Sequence, residues 1–175
     1  TICYPAKLMH GHIISLIKMG VDAIFYPCSS YNIDEHKGDN HFNCPIVAYY
    51  PEVLKHNIPS LSSKEVDFIS DYVSISNSSF LPKRMHEILK SRYGFSRSSI
   101  KEACKKGYDA LAAYQEGIRE NGKEIIENAR KRNWPIIVLA GRPYHADKEV
   151  NHGIDQLLLQ CGCAVISEDA IAYHM

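Results

Sequence analysis

Cysteine is the residue type with the widest chemistry in this chain, and six cysteines stand among its 175 residues. Three of them occupy positions typical of ligands: Cys3 precedes an apolar helical pattern, Cys28 follows a strand-like run, and Cys44 follows a long polar loop. Thiolates bind soft metal ions and iron–sulfur clusters. The gaps of 24 and 15 residues match no compact zinc or ferredoxin run. Spacing alone therefore leaves open both a shared metal site and three unrelated core cysteines.

Two histidines in the polar loop offer a different metal site. His36 and His41 lie between Cys28 and Cys44, and the four side chains would form a Cys2His2 set. Such a set favours zinc, although its spacing differs from that of a zinc finger and loop histidines are commonly solvated. The other three cysteines occupy apolar positions of predicted elements and are interpreted as core residues: Cys104, Cys161 and Cys163.

The stretch AGRPYHADKEVNHG, residues 140–153, is a second candidate site. A strand-like run ends there in glycine, a polar loop follows, and a helix is predicted to begin near Asn151. A helix N-terminus with a nearby arginine can bind a phosphate or another anion. The candidate anion- or substrate-binding residues are Gly141, Arg142, His145, Asn151 and His152. The alternative is an ordinary strand-to-helix turn, since there is no G-x-G-x-x-G or Walker pattern and neither histidine has an evident acid–base partner.

Alternating strand-like and helical segments position these residues. Apolar side chains recur every three or four residues in 6–19, in a long segment after Ser96 and in 151–161, which predicts helices. Asn121-Gly122 predicts a bend or break in the long segment. Short apolar runs predict strands at Val21–Pro27, Ile46–Tyr50, Val66–Ile75, Ile136–Ala140 and Cys163–Ile166.

This alternation predicts an α/β fold with a mostly parallel sheet and helices on both faces. We expect one α/β lobe at residues 1–80 and a helical connecting segment at 81–133. A strand–loop–helix–strand unit at 134–175 then belongs to a second lobe or to the same sheet. Because the chain opens beside a helix and closes soon after a strand, it is expected to be part of a larger protein.

Composition excludes several classes of function. Twenty basic and twenty acidic side chains cancel, and the basic run at 83–97 is short and broken, so we expect no nucleic-acid partner. The apolar stretches are shorter than the ~18 residues of a membrane span, and no signal-peptide pattern is present. We therefore expect a cytoplasmic protein without membrane contact. In a reducing cytosol, cysteines with a role beyond packing are usually metal ligands or catalytic groups.

Four longer blocks resemble a known family: ICYPAKLMHGHI, GVDAIFYPCSSY, DNHFNCPIVAYYPEVLKHNI and AGRPYHADKEVNHGIDQLL. They are similar to the large activase-related proteins of the 2-hydroxyacyl-CoA (2-hydroxyglutaryl-CoA) dehydratase superfamily. The resemblance runs from Cys3 to about Asp169 and implies Rossmann-like, three-layer lobes and anaerobic, oxygen-sensitive iron–sulfur chemistry. In that family an ATP-dependent activase drives one electron into a dehydratase, which expels water from a 2-hydroxyacyl-CoA through a ketyl radical.

For this chain the resemblance implies a [4Fe–4S] cluster that aerobic preparation could remove. Cys3 and Cys28 match the first two cysteine ligands of the dehydratase subunits. Cys44 is a candidate third ligand, although the third cysteine of those subunits comes from the far lobe. The implied role is low-potential electron transfer in radical dehydration or reduction of an acyl-CoA-type substrate.

The resemblance also implies partners. These are the remaining domains of the same polypeptide, an ATP-dependent activase component or a dehydratase subunit, and an acyl-CoA. The chain carries no ATPase signature, so the isolated domain is not expected to be active. Alternatives are a non-redox α/β scaffold or phosphate-ligand-binding domain with buried cysteines, and a zinc-stabilised domain.

Overall fold

The computed structural model describes residues 3–36 and 38–172, and the chain divides into two compact units, Thr1–Lys105 and Lys106–Met175. The boundary falls inside a long helix, α5 (Arg97–Lys131). Each unit contains a two-stranded parallel sheet, so the predicted α/β class is confirmed. The predicted lobe boundaries at residues 80 and 133 stay a prediction.

The first unit is built on the parallel pair of β1 (Ala23–Phe25) and β2 (Asp67–Ile69). Ile24 lies opposite Phe68, and the pairing reaches beyond the named strands to a bridge between Cys28 and Tyr72. The helices of this unit that precede α5 are α1 (Tyr4–Lys18), α2 (Pro45–Asn57), α3 (Pro59–Ser62) and α4 (Leu81–Tyr93).

One face of the β1–β2 sheet carries the larger core of the first unit. Ile24 and Phe68 project to this face and pack in one cluster with Ala6 and Ile13 of α1 and Leu54 of α2. All five side chains are buried. Burial of apolar surface at about 25 cal/mol per Å² is the main force that holds α1 and α2 on this face.

Helix α4 covers the opposite face. Because side chains alternate along a strand, Ile69 and Val73 point away from Phe68. Both pack with Ile88 of α4 in a second, smaller core cluster. Helices therefore lie on both faces of the β1–β2 sheet, as the sequence predicts.

The segment Ile46–Tyr50 is helical, so the predicted strand there is wrong. Its β-branched and aromatic residues favour a strand on composition. The buried positions of α2 nevertheless include Ala48, Pro51 and Leu54, a helical spacing of three, and Pro45 occupies the first turn. Burial of this face against the β1–β2 sheet outweighs the weak local preference for a strand.

Helix α5 runs unbroken through Asn121 and Gly122, so the predicted bend there is wrong. Gly122 is a close-packing position within the second unit. A Cβ at Gly122 would lie 2.7 Å from the backbone oxygen of Ala170 and 2.8 Å from its Cβ. Ala170 belongs to α8 (Glu168–Ile171), which approaches α5 this closely because glycine has no side chain.

The sheet of the second unit pairs β3 (Ile136–Leu139) with β4 (Ala164–Ser167) in parallel, which confirms both predicted strands. The helix predicted over 151–161 is only partly right. The chain instead forms α6 (Lys148–Asn151), two left-handed residues and then α7 (Ile154–Gln160). His152 and Gly153, with φ of 56° and 75°, interrupt the helical path.

Candidate functional site

Two of the three candidate ligand cysteines stand at helix N-termini. Cys3 is the N-cap of α1 and Cys44 is the N-cap of α2, and each has an extended backbone and no capping hydrogen bond from its side chain. Both sulfur-bearing residues are partly exposed. The free N–H groups and the dipole of a helix N-terminus favour a negatively charged group such as a thiolate.

Cys28 lies beyond the carboxyl end of β1 and is fully buried. Its N–H donates to the carbonyl of Asp71 and its carbonyl accepts from the N–H of Val73, so strand pairing fixes its position. Burial raises the pKa of the Cys28 thiol, while hydrogen bonds from the Glu52 backbone and the Tyr72 hydroxyl act in the opposite direction. Cys28 is therefore a neutral thiol at neutral pH.

The polar loop between Cys28 and Cys44 closes back on itself. The backbone N–H of Asn43 donates to the carbonyl of Ser30 at 2.9 Å, and its side-chain amide donates to the carbonyl of Ser29 at 3.0 Å. The residues next to the two cysteines are thus hydrogen-bonded to each other. A gap that looks wide in the sequence is short in space.

Two tyrosines have pKa values that are raised in part by the candidate cysteines. The pKa of Tyr26 is raised by burial and then by the charges of Tyr50, Cys28 and Cys44. The pKa of Tyr50 is raised by burial and then by the charge of Cys3. Cys3 and Tyr26 also pack against the core cluster that contains Tyr50. The pKa of each tyrosine is thus raised in part by at least one candidate cysteine.

A hydrogen bond joins α1 to α2 beside these cysteines. The hydroxyl of Tyr50 lies 2.8 Å from Nδ1 of His10, and the two rings meet edge to face. Tyr50 is only 4% exposed. The sequence gives no signal for this pair, because it joins residues 40 positions apart.

A buried polar cluster shares the sheet face of Cys28. Ser70 is 3% exposed, and its hydroxyl donates to Oε1 of Glu52 at 3.2 Å. The ammonium of Lys55 lies 3.5 Å from the same hydroxyl oxygen. Sequence analysis missed these residues, although polar Ser70 and Tyr72 alternate with apolar positions in the strand-like run that contains β2.

The cysteines do not form a closed ligand set. Within residues 3–36 and 38–172, no group of three or more His, Cys, Asp or Glu side chains is arranged to hold a metal ion. Cys3, Cys28 and Cys44 supply the thiolate chemistry that an iron–sulfur cluster requires. The chemistry of the donors fits a cluster, and a cluster at these residues stays a prediction.

The Cys2His2 alternative is not assembled in the described part of the loop either. Nδ1 of His36 lies 3.2 Å from Oδ2 of Asp34, and Nδ1 of His41 lies 4.0 Å from the same oxygen. The ring of His41 also contacts Tyr31. The two histidines are therefore grouped around a carboxylate within the loop.

The remaining cysteines fall into two environments. Cys104 and Cys163 are partly buried, and burial raises the pKa of the Cys104 thiol. Cys161 is exposed at the end of α7, so its interpretation as a core residue is wrong. It stands where α7 gives way to the turn before β4, outside the apolar stripe that the sequence suggests.

The glycine loop after β3 already holds an anion from the protein itself. The N–H of Gly141 donates to Oε2 of Glu168 at 3.3 Å, and the N–H of Arg142 donates to Nδ1 of His145 at 3.0 Å. Gly141 has a φ of 155°, and a Cβ at this position would clash with the His145 ring. A carboxylate of the protein itself thus accepts from one N–H of the predicted anion site, and anion or substrate binding by Gly141, Arg142 and His145 stays a prediction.

Asn151 does not open a helix, so that part of the prediction is wrong. The N-cap of α6 is Asp147, whose carboxylate accepts from the N–H of Glu149 at 2.8 Å. The side-chain oxygen of Asn151 accepts from the N–H of Gly153, while its amide nitrogen is buried and has no hydrogen-bond partner among residues 3–36 and 38–172. His152 is the C-cap of α6, and its role in substrate binding stays a prediction.

Comparisons with known proteins identify a family. No curated protein matches the chain, and no solved structure matches it. None of the helices in the described residues combines the length and apolar character needed to cross a bilayer. A family model described as CoA enzyme activase uncharacterised domain (DUF2229) matches residues 1–171, which is nearly the whole chain. The chain therefore belongs to the CoA enzyme activase uncharacterised domain family, in agreement with its resemblance to activase-related proteins of the dehydratase superfamily.

Proposed function

We propose that this chain is an iron–sulfur-binding domain of an activase-related CoA enzyme, with Cys3, Cys28 and Cys44 as thiolate ligands of a [4Fe–4S] cluster. The domain acts in low-potential electron transfer for radical dehydration or reduction of an acyl-CoA-type substrate. One observation carries the proposal: hydrogen bonds from Asn43 to Ser29 and Ser30 bring the segments of Cys28 and Cys44 together, and Cys3 packs against the core cluster of the same unit.

The environments of the three thiols suit ligation. Cys3 and Cys44 are the N-cap residues of α1 and α2, where the helix dipole stabilises a negative charge. Cys28 is a buried neutral thiol, so it loses its proton on ligation and its affinity for iron rises with pH. A bound cluster supplies one-electron chemistry whose potential depends on burial and on hydrogen bonds to sulfur.

The protein holds the three thiols through contacts between elements. The Tyr50–His10 hydrogen bond ties α2 to α1, and with them the helix ends that bear Cys44 and Cys3. Tyr72 provides a hydroxyl beside the Cys28 sulfur. These residues position ligands and supply hydrogen bonds to sulfur.

No three side chains of the described residues are arranged to hold a metal ion, so the proposal requires partners that supply a further ligand. A further donor comes from another part of the enzyme, as the third cysteine does in the dehydratase subunits that the chain resembles. The proposed partners are the remaining domains of the same polypeptide and an activase component or dehydratase subunit, in the cytoplasm. An acyl-CoA is the proposed substrate of the assembled enzyme.

Anaerobic reconstitution tests the proposal. The 175-residue chain is incubated with ferrous iron, sulfide and a thiol reductant without oxygen, and iron, sulfide and visible absorption are measured after gel filtration. We expect iron and acid-labile sulfide in equal amounts, with the broad visible absorption of a cluster. Cys3→Ser, Cys28→Ser and Cys44→Ser should each lower the iron content severalfold.

Cys161→Ser is the matched control, because Cys161 is exposed and outside the site. It should retain the iron content of the unaltered chain. A chain that stays iron-free after reconstitution, or iron that is insensitive to all three substitutions, would falsify the proposal. Zinc binding that is lost in His36→Ala and His41→Ala, with no visible absorption, would instead identify a zinc-stabilised domain.

A further inference from the structure

An apolar cavity of about 310 Å³ lies in the first unit, away from the cysteine site. Its walls come from the ends of both strands and from α4 and the first turns of α5. The lining residues that matter here are Phe25, Pro27, Val73, Ile75, Met85 and Cys104. The cavity is therefore built from apolar side chains and the sulfurs of a methionine and a cysteine.

The cavity lies where parallel α/β sheets usually bind ligands, beyond the carboxyl ends of the strands. Pro27 and Val73 line it, whereas their chain neighbours Cys28 and Tyr72 belong to the opposite face of the same strand extension. The backbone of this extension thus separates the cavity from the candidate cluster ligands. A ligand in the cavity makes no use of the cysteine site.

A second cleft of about 280 Å³ involves the same two helices and is basic. Lys83 and His86 of α4 and Arg97 and Lys101 of α5 line it. No ion pair to Lys83, Arg97 or Lys101 is formed within the described residues. Glu87 also lines the cleft, but its carboxylate lies 3.7 Å from Arg84.

The charge around these two cavities departs from that of the chain as a whole. Residues 82–106 contain eight Lys or Arg against two Asp or Glu, in a chain whose formal net charge is zero. Part of this excess is neutralised, because Arg84 and Arg92 pair with Asp71 and Asp67. Lys83, Arg97 and Lys101, which form no ion pair with any residue that the structure describes, remain beside the apolar cavity and attract an anion.

We propose that the α4–α5 side of the first unit binds a small amphiphilic anion, an aliphatic chain with one carboxylate or phosphate head group. The chain fills the cavity beside Met85 and Cys104, and the head group meets Lys83, Arg97 and Lys101. The two cavities border on consecutive residues, Leu81 and Pro82 in α4 and Ile100 and Lys101 in α5. The two cavities are therefore neighbours along both helices, and in this proposal one molecule occupies both. This proposal does not depend on a cluster.

The size of the cavity favours a small molecule over a peptide helix. At about 310 Å³ it lies at the lower end of the range of ligand pockets, roughly 300–1,000 Å³. A docked helix requires a row of pockets for anchors at i, i+3, i+4 and i+7, and about 800 Å² of buried surface on each partner. One apolar pocket that opens beside a cationic cleft matches a chain with a charged end.

Decanoate and decyl phosphate are suitable probes, and Cys104 reports on the cavity. The reduced chain is treated with iodoacetamide in the presence and absence of each probe, and alkylation is followed by peptide mass spectrometry. We expect saturable protection, with alkylation of Cys104 slowed at least fivefold and alkylation of exposed Cys161 unchanged. Calorimetry should show one site per chain, with affinity that falls as salt rises.

The two ligand sources are distinguished by comparing the carboxylate with the phosphate probe. Decanol should bind about tenfold more weakly than either, and decyltrimethylammonium should not bind, because the cleft is cationic. Protection that is equal with decanol overturns the anionic half of the proposal. Protection by an acidic amphipathic peptide but by none of the decyl compounds overturns the whole, and identifies a protein-docking face.

Substitutions locate the site. Ala103→Trp narrows the cavity and should abolish protection of Cys104, whereas Ala110→Trp, at an exposed position farther along α5, should not. Lys101→Glu should lower the affinity for the anionic probes about three- to tenfold and leave the affinity for decanol unchanged. Lys123→Glu, at an exposed position, is the control and should change neither affinity. Circular dichroism melts confirm that each variant is folded. Equal binding by the two tryptophan variants overturns the assignment.

Discussion

Ser70 is a buried polar residue on the same sheet face as Cys28. Its hydroxyl is held between the carboxylate of Glu52 and the ammonium of Lys55, and the charges of these two groups also reach the Cys28 thiol. The serine donates to one oxygen of the Glu52 carboxylate, whose other oxygen lies 3.7 Å from Nε2 of His56. Ser70 therefore stabilises the surroundings of a candidate ligand without being one.

Ser70→Ala tests that role. The substitution leaves Glu52 and Lys55 without the oxygen that joins them, so we expect the free energy of unfolding to fall by about 1–3 kcal/mol in urea denaturation. Ser76→Ala, at an exposed position, should change it by less than about 0.5 kcal/mol. An equal effect of the two substitutions would show that the buried hydroxyl contributes nothing special.

Sequence analysis identified the candidate cysteines but not the residues around them. Cys3, Cys28 and Cys44 were suggested by residue type and by their places at the ends of elements. The environment of these cysteines depends on the closed loop at Asn43 and on packing around Tyr50, which are contacts between residues distant in the sequence. Periodicity reports which face a residue occupies and carries no information about which element covers that face.

Two arginines fasten α4 to β2 and its extension. Asp67, Ile69 and Asp71 are spaced two residues apart along this strand and its extension, so all three point to the face that α4 covers. Arg92 binds Asp67 and lies 3.6 Å from Asp71, and Arg84 donates to the carbonyl of Tyr72 at 3.0 Å. Because apolar and acidic side chains share this face of the strand, α4 is held there both by apolar packing and by ion pairs.

Arg92→Met is expected to weaken this attachment. The pair with Asp67 is partly exposed, so the loss should be about 1 kcal/mol or less in unfolding free energy and should shrink in high salt. Lys90→Met removes an exposed cation from the same helix and should have no measurable effect. A larger loss for Lys90→Met than for Arg92→Met would contradict the ionic attachment.

Gly122 offers a sharper test, because two rules of helix stability disagree there. Alanine in place of a helical glycine normally stabilises by about 1 kcal/mol. At Gly122 the new methyl group would meet the backbone of Ala170 at 2.7 Å, so Gly122→Ala should instead destabilise, by about 1–3 kcal/mol.

Gly117→Ala is the matched control on the same helix, since a Cβ there meets nothing within 4 Å. It should raise the thermal midpoint while Gly122→Ala lowers it. Two substitutions with the same sign would mean that α8 does not press on α5.

The elements show what local sequence can and cannot predict. Strands β1, β3 and β4 were predicted because short apolar runs between turns have few other interpretations. Helix α2 was mistaken for a strand because Val47, Tyr49 and Tyr50 favour strands, whereas burial on every third position decided the outcome. Asn121-Gly122 predicted a break in α5, since an Asn-Gly pair is typical of turns. The close packing of Gly122 on Ala170 has no local signal, because the two residues are 48 positions apart.

At the scale of the whole molecule, the pKa values that depart from their ordinary range in the described residues are all raised. Burial is the first cause for each of them except Tyr93, where a hydrogen bond to Asp67 leads. The groups are Tyr26, Cys28, Tyr50, Tyr72, Tyr93 and Cys104. The folded chain therefore retains protons that the unfolded chain releases.

The free energy of unfolding should consequently decline in alkali. A raised folded pKa stabilises fully below the unfolded value, 9.0 for cysteine and 10.0 for tyrosine, and this stabilisation is lost as pH rises toward the folded value. Urea denaturation of the reduced, metal-free chain should show little change from pH 7 to 8.5. Between pH 9 and 11 we expect the free energy of unfolding to fall on the order of 1 kcal/mol per pH unit, chiefly from buried Cys28 and Tyr50.

Tyr50→Phe should make this decline shallower above pH 10, whereas Tyr114→Phe, at an exposed position, should not. Stability that stays constant or rises above pH 9 would mean that these groups are no more buried in the folded chain than in the unfolded one, and the core around the cysteines would have to be reconsidered.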